Sequence, residues 1–246
     1  NLHFYRRDLL RKTAMNRFYY PSPVILGDII VITDKDKAHH IKRVLCLRLK
    51  EEVVLFDKQG IEYHCVIQGL DKEVTLRVIK RKLPDKGNSG IKLTLACAIP
   101  KKGKFDDIID KLTQLGVDRI IPLISKRVLV KLDRKKQEER LNRWKRIAES
   151  ASQQSQRNNI PLVGPIKKFD ELLAISQDFD LKLIPTLGGA RKPLQEVLAQ
   201  NSSNILVLIG PEGDFSEEEV IAAKRSGFIP VSLGELVLRV DTAAIS

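Results

Sequence analysis

Along the chain, the pattern of apolar and polar positions changes its period once, about a third of the way in. Between Arg17 and Lys80 the apolar residues fall in short β-branched runs, Ile29–Ile32, Val53–Phe56, Tyr63–Ile67 and Val74–Ile79, with polar turns between them. Runs of this length and composition predict strands. Asp57-Lys58-Gln59-Gly60 predicts a hairpin loop in which Gly60 supplies a positive φ. One helical stretch, Lys37–Leu47, interrupts the strands, so a small β-barrel with an inserted helix fits residues 15–82. Residues 83–90, polar and punctuated by Pro84, Gly87 and Gly90, read as a linker.

From Ile91 the strands alternate with helices. Strands are predicted at Leu93–Ile99, Ile120–Ile124, Leu181–Pro185, Ile205–Gly210 and Ile229–Leu233. A helix over Lys104–Leu115 gathers Phe105, Ile108, Ile109, Leu112 and Leu115 on one face and stops at Gly116. A longer helix, Arg134–Gln156, turns Leu141, Trp144, Ile147, Ala148 and Ala151 inward and carries Arg140, Arg143, Lys145 and Arg146 on its other faces. Ser216 and Glu219 have the spacing of a capping box. The unbroken apolar run of Ile205–Ile209 suits a central parallel strand covered on both sides. The expectation for residues 91–246 is therefore an α/β domain around a parallel sheet. Residues 1–14 read as an extension ahead of Met15; their mixture of Arg, Lys and apolar residues lacks the continuous apolar stretch of a signal peptide.

Charge adds a functional hint. The net charge is +12, but it is unevenly spread: +11 over residues 91–168 against −6 over residues 169–246. A concentrated basic block predicts a face for a polyanion, with nucleic acid the usual candidate. No apolar run approaches the ~20 residues of a membrane span, so no membrane partner is expected. Cys46, Cys65 and Cys97 lie far apart and form no C-x-x-C pair. They read as small core residues in a reduced, cytoplasmic compartment, with no metal site and no disulfide framework. His39, His40 and His64 read as barrel-surface or packing residues.

Two C-terminal segments carry the candidate chemistry. Gly210-Pro211-Glu212-Gly213 lies between the buried strand and the capped helix, where ligands bind in open α/β sheets and where glycine lets backbone come close. Such a turn serves equally well as a plain connection. The second segment, Leu233–Ala244, offers Gly234, Arg239, Asp241 and Thr242 directly after a strand; helix capping by Asp241 or Thr242 is the alternative use. Neither a G-x-x-x-x-G-K-[ST] loop nor an early G-x-G-x-x-G is present, which disfavours nucleotide-phosphate and Rossmann-type sites.

Taken together, Leu206–Glu219 and Leu233–Ala243 resemble the RsmE family, bacterial methyltransferases of the trefoil-knotted SPOUT superfamily that modify N3 of a uridine in 16S ribosomal RNA. The likeness continues in Lys111–Val117, Pro122–Arg127, Val130–Asp133 and Gln154–Asn158, and in His40–Leu45 and Leu55–Asp57, where the family has a PUA-like RNA-binding barrel. It spans about residues 15–246. This chain departs at Gln114 and Asp241, where the family usually has Glu, at Gln153–Arg157, where it has Glu-Gln-Ser-Gly-Arg, and at Glu235-Leu236, where it has Pro-Arg. Family members usually continue beyond the position of Ser246 into a final helix.

The resemblance implies S-adenosyl-L-methionine bent into the knot, in a pocket drawn mainly from Leu206–Ala244. Leu187 and Gly188, then Gly210, Pro211, Glu212 and Gly213, then Leu233, Gly234, Leu238, Thr242 and Ala243 would hold it. Asp241 would serve as base or orienter, and Arg239 and Arg157 would stabilise the uridine anion or grip phosphate. It also implies a homodimer acting on 16S rRNA or the small ribosomal subunit, with no DNA partner. A non-catalytic RNA-binding assembly factor, or the same chemistry on another RNA such as tRNA, are the alternative readings.

Overall fold

A computed structural model of the protein describes residues 16–84, 90–100, 104–128, 133–198 and 202–246. The extension at residues 1–14, Met15, most of the linker and Val130-Lys131-Leu132 lie outside the described residues. The chain divides into two compact units, residues 1–87 with 156–159, and residues 88–155 with 160–246.

The first unit is a six-stranded sheet built from β1 (Asn16–Tyr19), β2 (Ile25–Leu26), β3 (Ile29–Ile32), β4 (Glu52–Phe56), β5 (Glu62–Gly69) and β6 (Val74–Lys82), in the order β1-β4-β5-β6-β3-β2. Every pairing is antiparallel except β1 with β4. The β-branched runs face inward around Ile30, Ile32, Val53, Leu55, Cys65, Ile67, Val74 and Leu76. As the turn chemistry requires, Gly60 has φ +78° in the β4–β5 loop. The helix expected over Lys37–Leu47 is placed differently. Helix α1 (Lys35–His39) starts two residues earlier, because the Asp34 carboxylate accepts from the backbone N–H groups of Asp36 and Lys37, both at 3.0 Å. It then widens into a π turn, His40–Val44, and Cys46 at φ 51° ends it. Cys46 is exposed, which corrects its reading as a core residue; Cys65 and Cys97 are buried.

In the second unit β7 (Lys92–Ala98), α2 (Phe105–Gln114), β8 (Arg119–Ile124), α3 (Arg134–Gln154), β9 (Leu162–Val163), β10 (Lys167–Lys168), α4 (Phe169–Ile175), β11 (Leu181–Pro185), β12 (Lys192–Pro193), α5 (Leu194–Leu198), β13 (Asn204–Ile209), α6 (Glu217–Arg225), β14 (Ile229–Ser232) and α7 (Val240–Ile245) follow one another. The sheet runs β10-β8-β7-β13-β11-β14-β12, with β9 beside β8, and all its pairings are parallel. Strand β13 sits at its centre, as its continuous apolar run demands. On one face α2 and α3 pack through Phe105 and Trp144, whose rings are 4.7 Å apart, and the Trp144 indole donates to Asp106. Leu115 was expected on the buried face but is 64% exposed: the helix ends at Gln114, and Gly116 at φ +99° turns the chain away. No helix among the described residues is long and apolar enough to cross a membrane.

Candidate active site

Three neighbouring parallel strands, β13, β11 and β14, end side by side, and the loops leaving their carboxyl ends enclose one cleft. This is where an open α/β sheet offers backbone groups to a ligand. After β13 the chain makes a tight turn, with the Asp214 N–H donating to the Pro211 carbonyl at 2.9 Å. Gly210 keeps that turn open: a Cβ there would come within 3.2 Å of the Phe215 ring, which would have to give by a few tenths of an ångström. Capping of α6 is reciprocal: Ser216 N–H donates to Glu219 at 2.9 Å, and Glu219 N–H to Ser216 Oγ at 3.3 Å. The buried Glu219 also accepts from the backbone of Lys126 at 2.8 Å, and the Arg127 guanidinium donates to the Gly213 carbonyl. The segment after β8 thereby props the turn from behind.

Asp214 joins two of the loops. Its carboxylate accepts from Leu187 N–H at 2.9 Å and from Phe215 N–H at 2.8 Å, while its own backbone sits at φ 61°. In the loop after β11, Arg191 donates to the carbonyls of Thr186 and Leu187 at 2.7 and 2.9 Å and fixes that loop's shape. Beyond β14, Ser232 Oγ donates to the Gly234 carbonyl at 2.9 Å, and Gly234 adopts φ +129°. Leu236 and Val237 follow, 80% and 77% exposed, as an apolar lip on the cleft. Below the floor Cys97 is fully enclosed; burial, and then the Glu212 charge, push its thiol well above the ordinary range.

Of the residues expected to hold cofactor, Leu187, Gly210, Pro211, Glu212, Leu233, Gly234, Leu238 and Ala243 line this cleft, whereas Gly188, Gly213 and Thr242 do not. Arg239 and Asp241 line a second cavity of about 310 Å³ that shares Glu212, Val237, Leu238 and Val240 with the first. Arg157 belongs to the barrel's unit, where its guanidinium lies 3.3 Å from Asn159 Oδ1. Sequence reasoning missed Thr186, Arg191 and Asp214 in the cleft and Lys104 in the second cavity. It also missed a separate groove of about 510 Å³ in the barrel, whose walls include Lys35, His39, Lys42, Arg43 and Lys72. The density of Lys and Arg in His39–Arg43 was the available signal for that groove.

The family model for an RNA methyltransferase domain matches residues 87–246, and that for an RNA methyltransferase PUA domain matches residues 27–79. Ribosomal RNA small subunit methyltransferase E of Bacillus subtilis is 32% identical over 222 residues, 85% of this chain and 84% of that protein. The chain belongs to the RsmE family of RNA methyltransferases. Its Mesomycoplasma hyopneumoniae relative is 34% identical over 209 residues, 84% of this chain and 87% of that one. Among solved RsmE-like structures, the Neisseria gonorrhoeae enzyme bound to S-adenosylmethionine superposes with a TM-score of 0.84 at 31% identity, over 94% of both chains. A Legionella pneumophila methyltransferase in complex with the same cofactor gives 0.86, also at 31%, over 95% of both. The parallel sheet preceded by a PUA-like barrel is thus the RsmE architecture.

Proposed function

We propose that this RsmE-family chain is an S-adenosylmethionine-dependent methyltransferase that modifies N3 of a uridine in 16S rRNA of the small ribosomal subunit. The carrying observation is the convergence of the three loops after β11, β13 and β14 on one cleft, within the residues that the RNA methyltransferase family model matches. The residues present fit the cofactor. Gly210 and Gly234 leave backbone within reach, the Leu187, Leu236 and Leu238 side chains provide apolar cover, and Glu212 supplies negative charge towards a sulfonium. Bound there, the cofactor supplies an electrophilic methyl group.

The chain's own task is to bring the base in and deal with its proton, since a neutral uracil N3 has no useful lone pair. Asp241 is assigned as acceptor of that proton. Arg239 has no hydrogen-bond or ion-pair partner for its guanidinium among the described residues, and it is assigned to the target's phosphate or to the developing negative charge. Arg157 is assigned to phosphate contact. Because N3 lies on the pairing edge, the target must be unpaired or turned out of its stack before it reacts. By resemblance the C-terminal chain threads a trefoil knot and the protein acts as a cytoplasmic homodimer with an isologous interface. Light scattering should therefore report twice the chain mass of 27.9 kDa, and a monomer at working concentration would count against that assembly.

The deciding experiment is mass spectrometry of rRNA nucleosides from cells with and without the gene. The expected outcome is loss of 3-methyluridine on deletion and its return on complementation. An unchanged nucleoside profile, or loss of a different methylated base, overturns the substrate assignment.

A further inference from the structure

The cavity beside the cofactor cleft has a charge pattern of its own. Four charged residues face it: Lys104 from the start of α2, Glu212 from the turn after β13, and Arg239 and Asp241 from the start of α7. Lys104 Nζ and Asp241 Oδ2 stand 4.0 Å apart, at the outer limit of an ion pair, and both side chains are close to half exposed. A pair this loose contributes little to stability. Asp106, on the same helix as Lys104, is occupied elsewhere, by Arg143 at 2.6 Å and by the Trp144 indole.

Lys104 also breaks the local rules of the helix it begins. It stands directly before Phe105, with its own backbone already helical at φ −63° and ψ −9°. Its positive charge therefore sits at the positive end of the helix dipole. That placement costs stability, and violations of this kind concentrate where function sets the residue.

We infer that this cavity receives the target base, and that the Lys104 ammonium holds the negative charge that develops on the uracil imide. The inference rests on the uridine-N3 reading above. Removing the N3 proton leaves the electron pair on the imide, delocalised onto O2 and O4, and the proton passes to the Asp241 carboxylate and on to solvent. Once the proton has gone on to solvent, the re-formed carboxylate alone would repel the anion, and a cation alone could not take the proton. Here the two stand side by side, with Val237 and Leu238 as apolar wall for the ring face. A fixed ammonium beside the developing charge lowers the free energy of the ionised base.

The test compares wild type with Lys104→Met and Lys104→Arg in three measurements. In the first, 5-fluorouridine 5′-monophosphate is titrated by fluorine NMR with full-length protein and S-adenosylhomocysteine. Wild type should lower the probe's imide pKa by about 1–3 units relative to free nucleotide, Lys104→Met should abolish most of that shift, and Lys104→Arg should restore part of it. In the second, kcat on unmodified small subunits should fall on the order of a hundredfold in Lys104→Met. In the third, calorimetry should give the same cofactor affinity for all three proteins, which checks folding. An equal imide shift in Lys104→Met, or no probe binding by wild type, overturns the inference. If wild type itself forms no 3-methyluridine on the subunits, the uridine-N3 reading is what fails; if it does and Lys104→Met matches it, only the role of Lys104 falls.

Discussion

Asp214 occupies a left-handed backbone position, φ 61°, that costs a non-glycine residue roughly 1–2 kcal/mol. What holds it there is the pair of hydrogen bonds from Leu187 and Phe215, which lock the loop after β11 to the turn after β13. Asp214→Gly should therefore leave thermal stability within a few degrees of wild type while loosening the cleft. Cofactor Kd by calorimetry should rise about tenfold, the scale of one lost hydrogen bond to a charged group, and Asp214→Asn should fall between the two. Equal affinities in all three proteins would remove Asp214 from the positioning machinery. The cysteines give a second measurement at this scale. Burial pushes the Cys65 thiol up to about 12 and Cys97 is raised further in the same direction, while Cys46 is exposed. A disulfide reagent should label one of the three thiols promptly in the native protein and the others only on unfolding; two prompt equivalents would contradict the burial. Arg239 and Asp241 were legible as site candidates because they sit inside a recognisable motif. Lys104 and Asp214 were not, because each looks like an ordinary surface charge until the fold sets residue 104 beside 241 and 214 beside 187.

At the scale of elements, strands with β-branched alternation and helices with a full apolar stripe were legible, with ends within two residues except at β6, which runs three residues past Ile79 to Lys82. Strands of two residues carry no period, so β2, β9, β10 and β12 had no signal to read. Strand β1 escaped for another reason: of its four residues only Phe18 is buried, and a polar residue adds side-chain anchors of its own. Arg17 pairs with Glu62 of β5 at 2.8 Å, lies over the Phe56 ring of β4 at 5.0 Å, and donates to Asn158 in the segment that groups with the barrel. Burial raises the Glu62 carboxyl, but the Arg17 hydrogen bond and charge outweigh it, with help from Lys82 and His64, and hold it below its ordinary value of 4.5. A group whose folded value is depressed stabilises above its unfolded value and loses that contribution as pH falls through the folded one. Wild-type stability by chemical denaturation should accordingly decline below about pH 4.5. Arg17→Met strands a buried carboxylate, which costs about 3–5 kcal/mol at neutral pH. With its strongest partner gone, burial pushes the Glu62 value upward, so the acid loss should shrink or invert. A variant that keeps both the wild-type stability and its acid slope would show that β1 is held by its backbone pairing alone.

On the scale of the molecule, the charge separation read from the sequence is the feature the fold makes most use of. The negative C-terminal third builds most of the cleft, and Glu212 stands in it. Positive charge gathers in two places, one in each unit: the outer faces of α3, and the barrel groove lined by Lys35, Arg43 and Lys72. Neither contributes to the cleft lining, so RNA affinity and cofactor affinity should be separable. Binding to small ribosomal subunits should weaken steeply with salt, with a log–log slope growing by roughly 0.7–0.9 for each phosphate neutralised. Lys35→Gln with Arg43→Gln, or Lys145→Gln with Arg146→Gln, removes two exposed cations at a time. Either pair should weaken subunit binding and reduce the slope by about 2, leaving cofactor Kd and thermal stability unchanged. If only the barrel pair alters the slope, the α3 charges keep the chain solvated rather than bind RNA; if neither does, RNA is recognised elsewhere and the basic block is a solvated face. Both pairs should count, because a base turned out of its stack needs its flanking backbone gripped while it reacts.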